Sequence, residues 1–354
     1  MNNFKKIGLT ALAGSLAAVT AAQADVSFSG NTLVTYMDDD KGGSAAGSTN
    51  GNGFGQQNNI DFSFGGEMDN GMTIGVAGYF NDANGGSVSS TAMTLGMGDL
   101  GTIVFAEAAG TRANGIDDKL PYAYEEAYDV GGAGEFGAFG AVTNSGSVEY
   151  QTPNFEFGDF SLGLSAAYDP QGGVANRDHD AVTAAGTTYG SGKAYTATIS
   201  GMGATVYLGS ENVEGYGATS PDYNSALGAI IYKMGPVAIG YQEMYVDSAA
   251  GAQDYEGDGY SVSFAVNDDL TLQIAEIEVE RKPVGGNSPT TAGITEKNEQ
   301  IGVSYTTGGM TFQVSQVDVS NYDYNTALSG EHIEVALSFA FLSLIHISEP
   351  TRPY

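Results

Sequence analysis

The sequence predicts an all-β fold, a 16-stranded antiparallel transmembrane β-barrel, and three observations carry that reading. Short segments alternate apolar and small or polar residues with period two, the connections between them are alternately long and short, and the strand count is even with an alternating strand at the far end. A soluble sandwich would show the alternation but would need neither the long–short rhythm nor the closing strand. In lipid every backbone donor must find its partner within the protein, so a sheet has to close on itself. Sixteen strands then surround a space too wide for side chains to fill, and it holds water.

Composition narrows the function classes. The 354 residues carry 12 Lys and Arg against 42 Asp and Glu, a formal charge of −30, which excludes nucleic acid as a partner. Gly supplies 52 residues, about twice average usage. The absence of Cys removes disulfide scaffolds, thiolate metal sites and Cys nucleophiles, while the three histidines, His179, His332 and His346, are too scattered in sequence to suggest a metal cluster. No segment offers 18 consecutive apolar residues, so helical spans are not expected.

The chain opens with Lys5 and Lys6, an apolar run from Ile7 to Ala22 and then Ala22-Gln23-Ala24 before Asp25. This is the pattern of a secretory signal peptide over residues 1–24, with cleavage between Ala24 and Asp25. The last 13 residues, LSLIHISEPTRPY, break the alternation that precedes them. LSLIHISEPTR resembles the translation of a transposon-end adapter used in sequencing libraries, so 342–354 reads as a non-native tail. The barrel domain is then 25–341, with nine basic and 41 acidic residues and a net charge of −32.

Within it the strands follow in order. The first, 25–36, ends on Tyr36. Strands 58–66 and 72–80 are joined tightly by Glu67 to Gly71, with Ile74, Val76 and Phe80 on one face against Thr73, Gly75 and Ala77. Gly98-Asp99-Leu100 joins 89–97 to 101–107, and Pro153 to Phe157 joins 145–152 to 158–168. In the latter, Phe160, Leu162, Leu164, Ala166 and Tyr168 oppose Ser161, Gly163, Ser165 and Ala167. Met202 links 193–201 to 203–209, Met234-Gly235 links 223–233 to 236–246, Asn267-Asp268 links 257–266 to 269–279, and Thr307-Gly308 links 297–306 to 309–319. Gly, Asn and Asp in these links suit the positive-φ positions of hairpin turns. The final strand, 331–341, sets Ile333, Val335, Leu337, Phe339 and Phe341 against His332, Glu334 and Ala336. The other connections are long, from 8 residues (81–88) to 37 (108–144), and rich in Gly, Ser, Asn and Asp.

Tyr36, Tyr79, Phe80, Tyr150, Phe157, Tyr168, Tyr195, Tyr232, Tyr245 and Tyr260 lie near strand ends and predict aromatic girdles at the lipid–water interfaces. In 269–279 and 309–319 the apolar phase slips near Glu276 and Gln316, because Ile277, Val279, Val317 and Val319 fall on the wrong parity. Bulges, or strand portions beyond the lipid, are expected there.

The stretch SVEYQTPNFEFGDFSLGLSAAY, Ser147 to Tyr168, resembles the strand–turn–strand that follows the third loop of Gram-negative general porins, at Val148, Tyr150, Pro153, Phe155, Phe157, Phe160 and Tyr168. The leader, the sixteen-strand rhythm and terminal Phe341 extend the resemblance to residue 341. The resemblance implies a homotrimer in the outer membrane, in contact with outer-membrane lipid, with Phe341 as the C-terminal signal read by the barrel insertion machinery; the tail would displace that signal. It also implies a long third loop folded into the pore as a constriction. That loop, 108–144, holds Asp117, Asp118, Glu125, Glu126, Asp129 and Glu135 against Arg112 and Lys119. Leu120-Pro121-Tyr122-Ala123-Tyr124 at its middle argues for packing against something.

Many porins set Arg and Lys on the wall opposite such acids. Here Lys193, Lys233, Arg281 and Lys282 fall at predicted strand ends or in loops. The expected function is therefore a passive, water-filled, cation-preferring channel for ions and small hydrophilic solutes. The rivals are a substrate-specific channel, for a sugar for instance, and a secreted structural or adhesive β-protein. An enzyme is not expected: His179 and His332 read as surface residues, and neither belongs to a motif with Ser. No cofactor is expected either, since Asp38-Asp39-Asp40 and Asp117-Asp118 offer carboxylates to loosely bound Ca²⁺ at a spacing that matches no defined loop.

Overall fold

A computed structural model of the chain describes residues 25–42, 53–82, 88–107, 110–130, 133, 136–137, 139, 145–170, 189–215, 222–247, 253–283 and 293–344. The predicted leader, Ala24, Glu135, His179 and His346 lie outside the described residues. The strands are β1 (Asp25–Gly42), β2 (Gly53–Glu67), β3 (Thr73–Asn81), β4 (Val88–Gly96), β5 (Thr102–Glu107), β6 (Ser145–Gln151), β7 (Phe155–Phe157), β8 (Phe160–Asp169), β9 (Tyr189–Gly201), β10 (Ala204–Gly215), β11 (Tyr223–Met234), β12 (Val237–Asp247), β13 (Gln253–Ala265), β14 (Leu270–Pro283), β15 (Thr295–Thr307), β16 (Met310–Ser320) and β17 (Ser329–Leu344).

Each strand pairs antiparallel with its chain neighbours, and β1 closes the ring on β17. β6 and β7 are two pieces of one barrel strand, since both pair with β8, and the barrel has sixteen strands. Between them Gln151 faces Ser165 and Phe155 faces Leu162, so one strand spends an extra residue around Pro153, which has no N–H for the ladder. The hairpin turn itself is Gly158-Asp159, with Gly158 at φ 63°, and not Pro153 to Phe157 as predicted. Met202 (φ 53°) and Gly203 (φ 83°) make a two-residue turn of the primed kind that matches strand twist.

The faces follow the predicted parity. On β8, Leu164 and Tyr168 are exposed while Ser165, Ala167 and Asp169 are buried inside. Of the girdle aromatics, Tyr79 points inward and is buried, whereas Tyr36, Phe80, Tyr150, Phe157, Tyr168, Tyr195, Tyr232, Tyr245 and Tyr260 are exposed.

The phase slips are not bulges. β14 keeps unbroken register with both neighbours, as β16 does. Instead the polarity of the two faces exchanges. On β14, Leu272 and Ile274 point out, and then Glu276, Glu278 and Glu280 continue on the same face, while Ile277 and Val279 turn inward and are fully buried. Pairing aligns this change around the wall: Tyr260 opposes Glu276, Glu276 opposes Glu299, Glu299 opposes Asp318, and Asp318 opposes Glu331. Two residues along each strand from it, Val262, Ile274 and Ile301 form the matching apolar row. That row marks where the apolar outer face ends, and the strands continue past it, which is why β9, β10, β13 and β14 are longer than the apolar pattern predicted.

The final strand extends three residues beyond Phe341, with Leu342 opposing Ser29 and Leu344 opposing Ser27. Phe341 is exposed on the barrel's outside.

Candidate functional site

The described part of the 108–144 connection contains single 3₁₀ turns at Ala113–Gly115, Asp117–Lys119 and Ala127–Asp129 and no longer regular element. Its backbone polar groups therefore need partners elsewhere. They find them on inward-facing side chains of the wall. Glu149 on β6 accepts from the Arg112 N–H at 3.1 and 3.2 Å. Gln273 on β14 accepts from the Ala123 N–H, and Ser261 on β13 donates to the Pro121 carbonyl. The Glu125 carbonyl accepts from Gln300 on β15 at 2.9 Å and from Gln273 at 3.4 Å. Asn298 donates to the carbonyls of Ala127 and Val130 at 2.7 and 2.8 Å, and Glu296 accepts from the Ala133 N–H at 3.0 Å. On β17 the Tyr124 hydroxyl donates to Glu334 at 2.7 Å.

Apolar packing follows the same track. Ile116, Leu120, Phe136 and Phe139 are buried together with wall residues such as Ile231, Met244, Val246, Ile277 and Val279. Val130 packs with Val317 and Val319. Among them Ile277, Val279, Val317 and Val319 are the residues whose parity looked wrong in the sequence; they face the connection. Glycines make the room. A Cβ on Gly209 would stand 2.6 Å from Phe139, on Gly240 2.6 Å from Pro121 Cδ, and on Gly257 2.8 Å from Phe136. Real side chains do not approach so closely, so a larger residue at any of these positions displaces the connection.

The predicted acids are not a single row. Asp117 and Glu126 are buried, Asp118 and Glu125 half-buried, and Asp129 exposed. Asp118 accepts from the Tyr128 hydroxyl at 3.0 Å. Burial, and then the charge of Glu126 beside them, hold the phenols of Tyr122 and Tyr128 well above their ordinary value. Burial, and then the facing Glu334 carboxylate, push Glu125 up to about 9.

His332 departs from the expected surface residue. It lies inside β17, faces inward and is only 9% exposed, beside Glu334 and Asp39. Nothing in the sequence signalled this grouping, because Glu125 comes from a connection more than two hundred residues earlier.

Lys233, Arg281 and Lys282 lie at strand ends as expected, and Lys193 lies inside β9. Lys193, Lys282 and Lys297 point outward, each paired with carboxylates: Lys193 with Glu214 at 3.6 Å, Lys282 with Glu280 and Glu256 at 2.7 and 2.9 Å, and Lys297 with Glu276 at 2.8 Å. Arg281 faces inward but stacks 4.1 Å from the Tyr324 ring and 5.6 Å from that of Tyr255. Lys119 sits 5.8 Å over Tyr207. Inward carboxylates, by contrast, stand on many strands: Asp39, Glu149, Asp169, Glu211, Glu296 and Glu334.

Comparison with known proteins matches the barrel fold. The family model described as Gram-negative porin aligns with residues 8–295. The Salmonella typhi OmpF structure in complex with daunomycin superposes with a TM-score of 0.66 at 14% identity, over 89% of this chain and 97% of that one. A porin refined at 1.8 Å gives 0.60 at 18% identity, over 90% and 100%. An anion-selective porin from Comamonas acidovorans gives 0.60 at 13% identity, over 90% and 100%. No curated protein matches the chain in sequence.

Proposed function

The chain belongs to the Gram-negative porin family, outer-membrane diffusion channels rather than enzymes, and from that premise we propose that it conducts small hydrophilic solutes passively with a preference for cations. One observation carries the preference: among the described side chains, inward carboxylates outnumber inward cations, and three lysines of the wall face out. A water-filled passage surrounded by such an excess of carboxylates has a negative summed potential that concentrates cations and repels anions, most strongly at low ionic strength. The connection carrying Asp118, Glu125 and Asp129 narrows the passage, and its contacts with β6, β13, β14, β15 and β17 support that role. The functional unit is a homotrimer in outer-membrane lipid. Residues 1–24 direct export, and Phe341 is read by the insertion machinery.

The test is the reversal potential of single channels in planar bilayers across a KCl gradient. A potential of the sign for K⁺ is expected; one of the sign for Cl⁻ overturns the reading. A folded, heat-modifiable barrel that stays silent would favour a substrate-specific channel.

A further inference from the structure

Glu125, His332 and Glu334 bring three ligand atoms within 4.8 Å of one another, two from β17 and one from the connection inside the barrel. His332 and Glu334 are more than nine-tenths buried. The imidazole is held but not hydrogen-bonded: Nδ1 stands 3.9 Å from Asp39 Oδ1 and Nε2 4.0 Å from Glu334 Oε2, both longer than a hydrogen bond. Asp39 Oδ1 is itself buried without a hydrogen-bond partner. Glu334 is oriented by Tyr124, which occupies Oε1 and leaves Oε2 towards the imidazole.

Two carboxylates and an imidazole thus converge in a buried place where a single cation would meet three lone pairs at once. We propose that Glu125, His332 and Glu334 form a divalent-metal site of the Zn²⁺ class that ties the pore connection to the last strand. The donor set decides the class: an imidazole nitrogen with carboxylate oxygens suits Zn²⁺, whereas Ca²⁺ and Mg²⁺ take all-oxygen shells. Ligands about 2 Å from a shared tetrahedral ion stand ~3.3 Å apart, so the three atoms, now within 4.8 Å of one another, close by up to about 1.5 Å on binding. Asp39 then accepts from Nδ1–H and fixes the ring with Nε2 towards the metal, the usual outer-shell partner of a ligating histidine. The fourth position is left for water.

The test is titration of ZnCl₂ into the full chain, folded in neutral detergent and stripped with chelator, followed by calorimetry. One Zn²⁺ per protomer is expected. His332→Gln and Glu334→Gln should each weaken it by about tenfold or more, and Asp39→Asn by roughly tenfold. Glu125→Gln alters the connection alone and leaves the strand ladder intact, so its loss of binding cannot be ascribed to a failed barrel; heat-modifiable mobility checks the others. Asp318→Asn, an outward acid, should change nothing. The proposal is overturned by an absence of Zn²⁺ binding, by an isotherm unchanged in His332→Gln, or by Ca²⁺ binding as tightly as Zn²⁺.

Discussion

Ile274 and Glu276 project from the same outer face of β14, two residues apart, and one belongs to the apolar row while the other is salt-bridged to Lys297 at 2.8 Å. The lipid boundary therefore passes between them. Two residues further into the lipid, Leu272→Arg should destabilise the barrel by ~2–4 kcal/mol, and Glu276→Arg by ~0–1 kcal/mol, as expected for depth-dependent burial of charge. Reversible folding into bilayers measures both; equal costs would misplace the boundary.

Gln300 and Gln273 share the Glu125 carbonyl and also bond each other. Replacing either by Ala leaves a buried carbonyl with one donor fewer, at a local cost of ~1–3 kcal/mol, and the double variant should cost less than the sum. Because the loss falls on the connection and not on the ladder, it should be read as increased open-channel current noise at unchanged thermal stability of the barrel.

Phe136 is fully buried between Tyr128, whose ring centroid is 5.5 Å away, and the wall at Gly257 and Gly259. Phe136→Ala should destabilise the seated connection by ~3–5 kcal/mol through lost burial and the cavity left behind. Single-channel conductance is expected to rise and to fluctuate, and a conductance identical to that of the parent would show that the ring does not hold the connection in place.

Asp129 is exposed and Asp118 half-buried, while Asp117 and Glu126 are buried. Asp129→Asn should therefore lower the cation-to-anion permeability ratio more than Asp117→Asn does. The comparison is made from reversal potentials at low salt, where screening is weakest.

The faces of the strands were legible because period two is a direct consequence of the pleat, and Leu164, Ser165 and Tyr168 show it plainly. Strand ends were not. Beyond the lipid the apolar side chains turn from outside to inside, so Ile277, Val279, Val317 and Val319 looked like defects although the ladder through them is regular. Tyr79 misled for the related reason that an aromatic near a strand end satisfies burial inside as well as at an interface. The acids of the connection were legible as a set, but their separation into buried and exposed members depends on wall partners distant in sequence. His332 and Glu334 were placed on one face by parity; that Glu125 meets them is a tertiary fact with no local signature.

The glycines at 209, 240 and 257 give the channel a property independent of its charge. Each is a missing side chain occupied by a side chain of the connection, so how closely the connection seats against the wall is set by what the wall omits. Gly240→Ala would press a methyl against Pro121 and Leu120 and lift the connection off the wall there, carrying its acids with it. On the proposed reading, a single methyl group on the wall would therefore act on the channel through where the connection sits and not through any charge of its own.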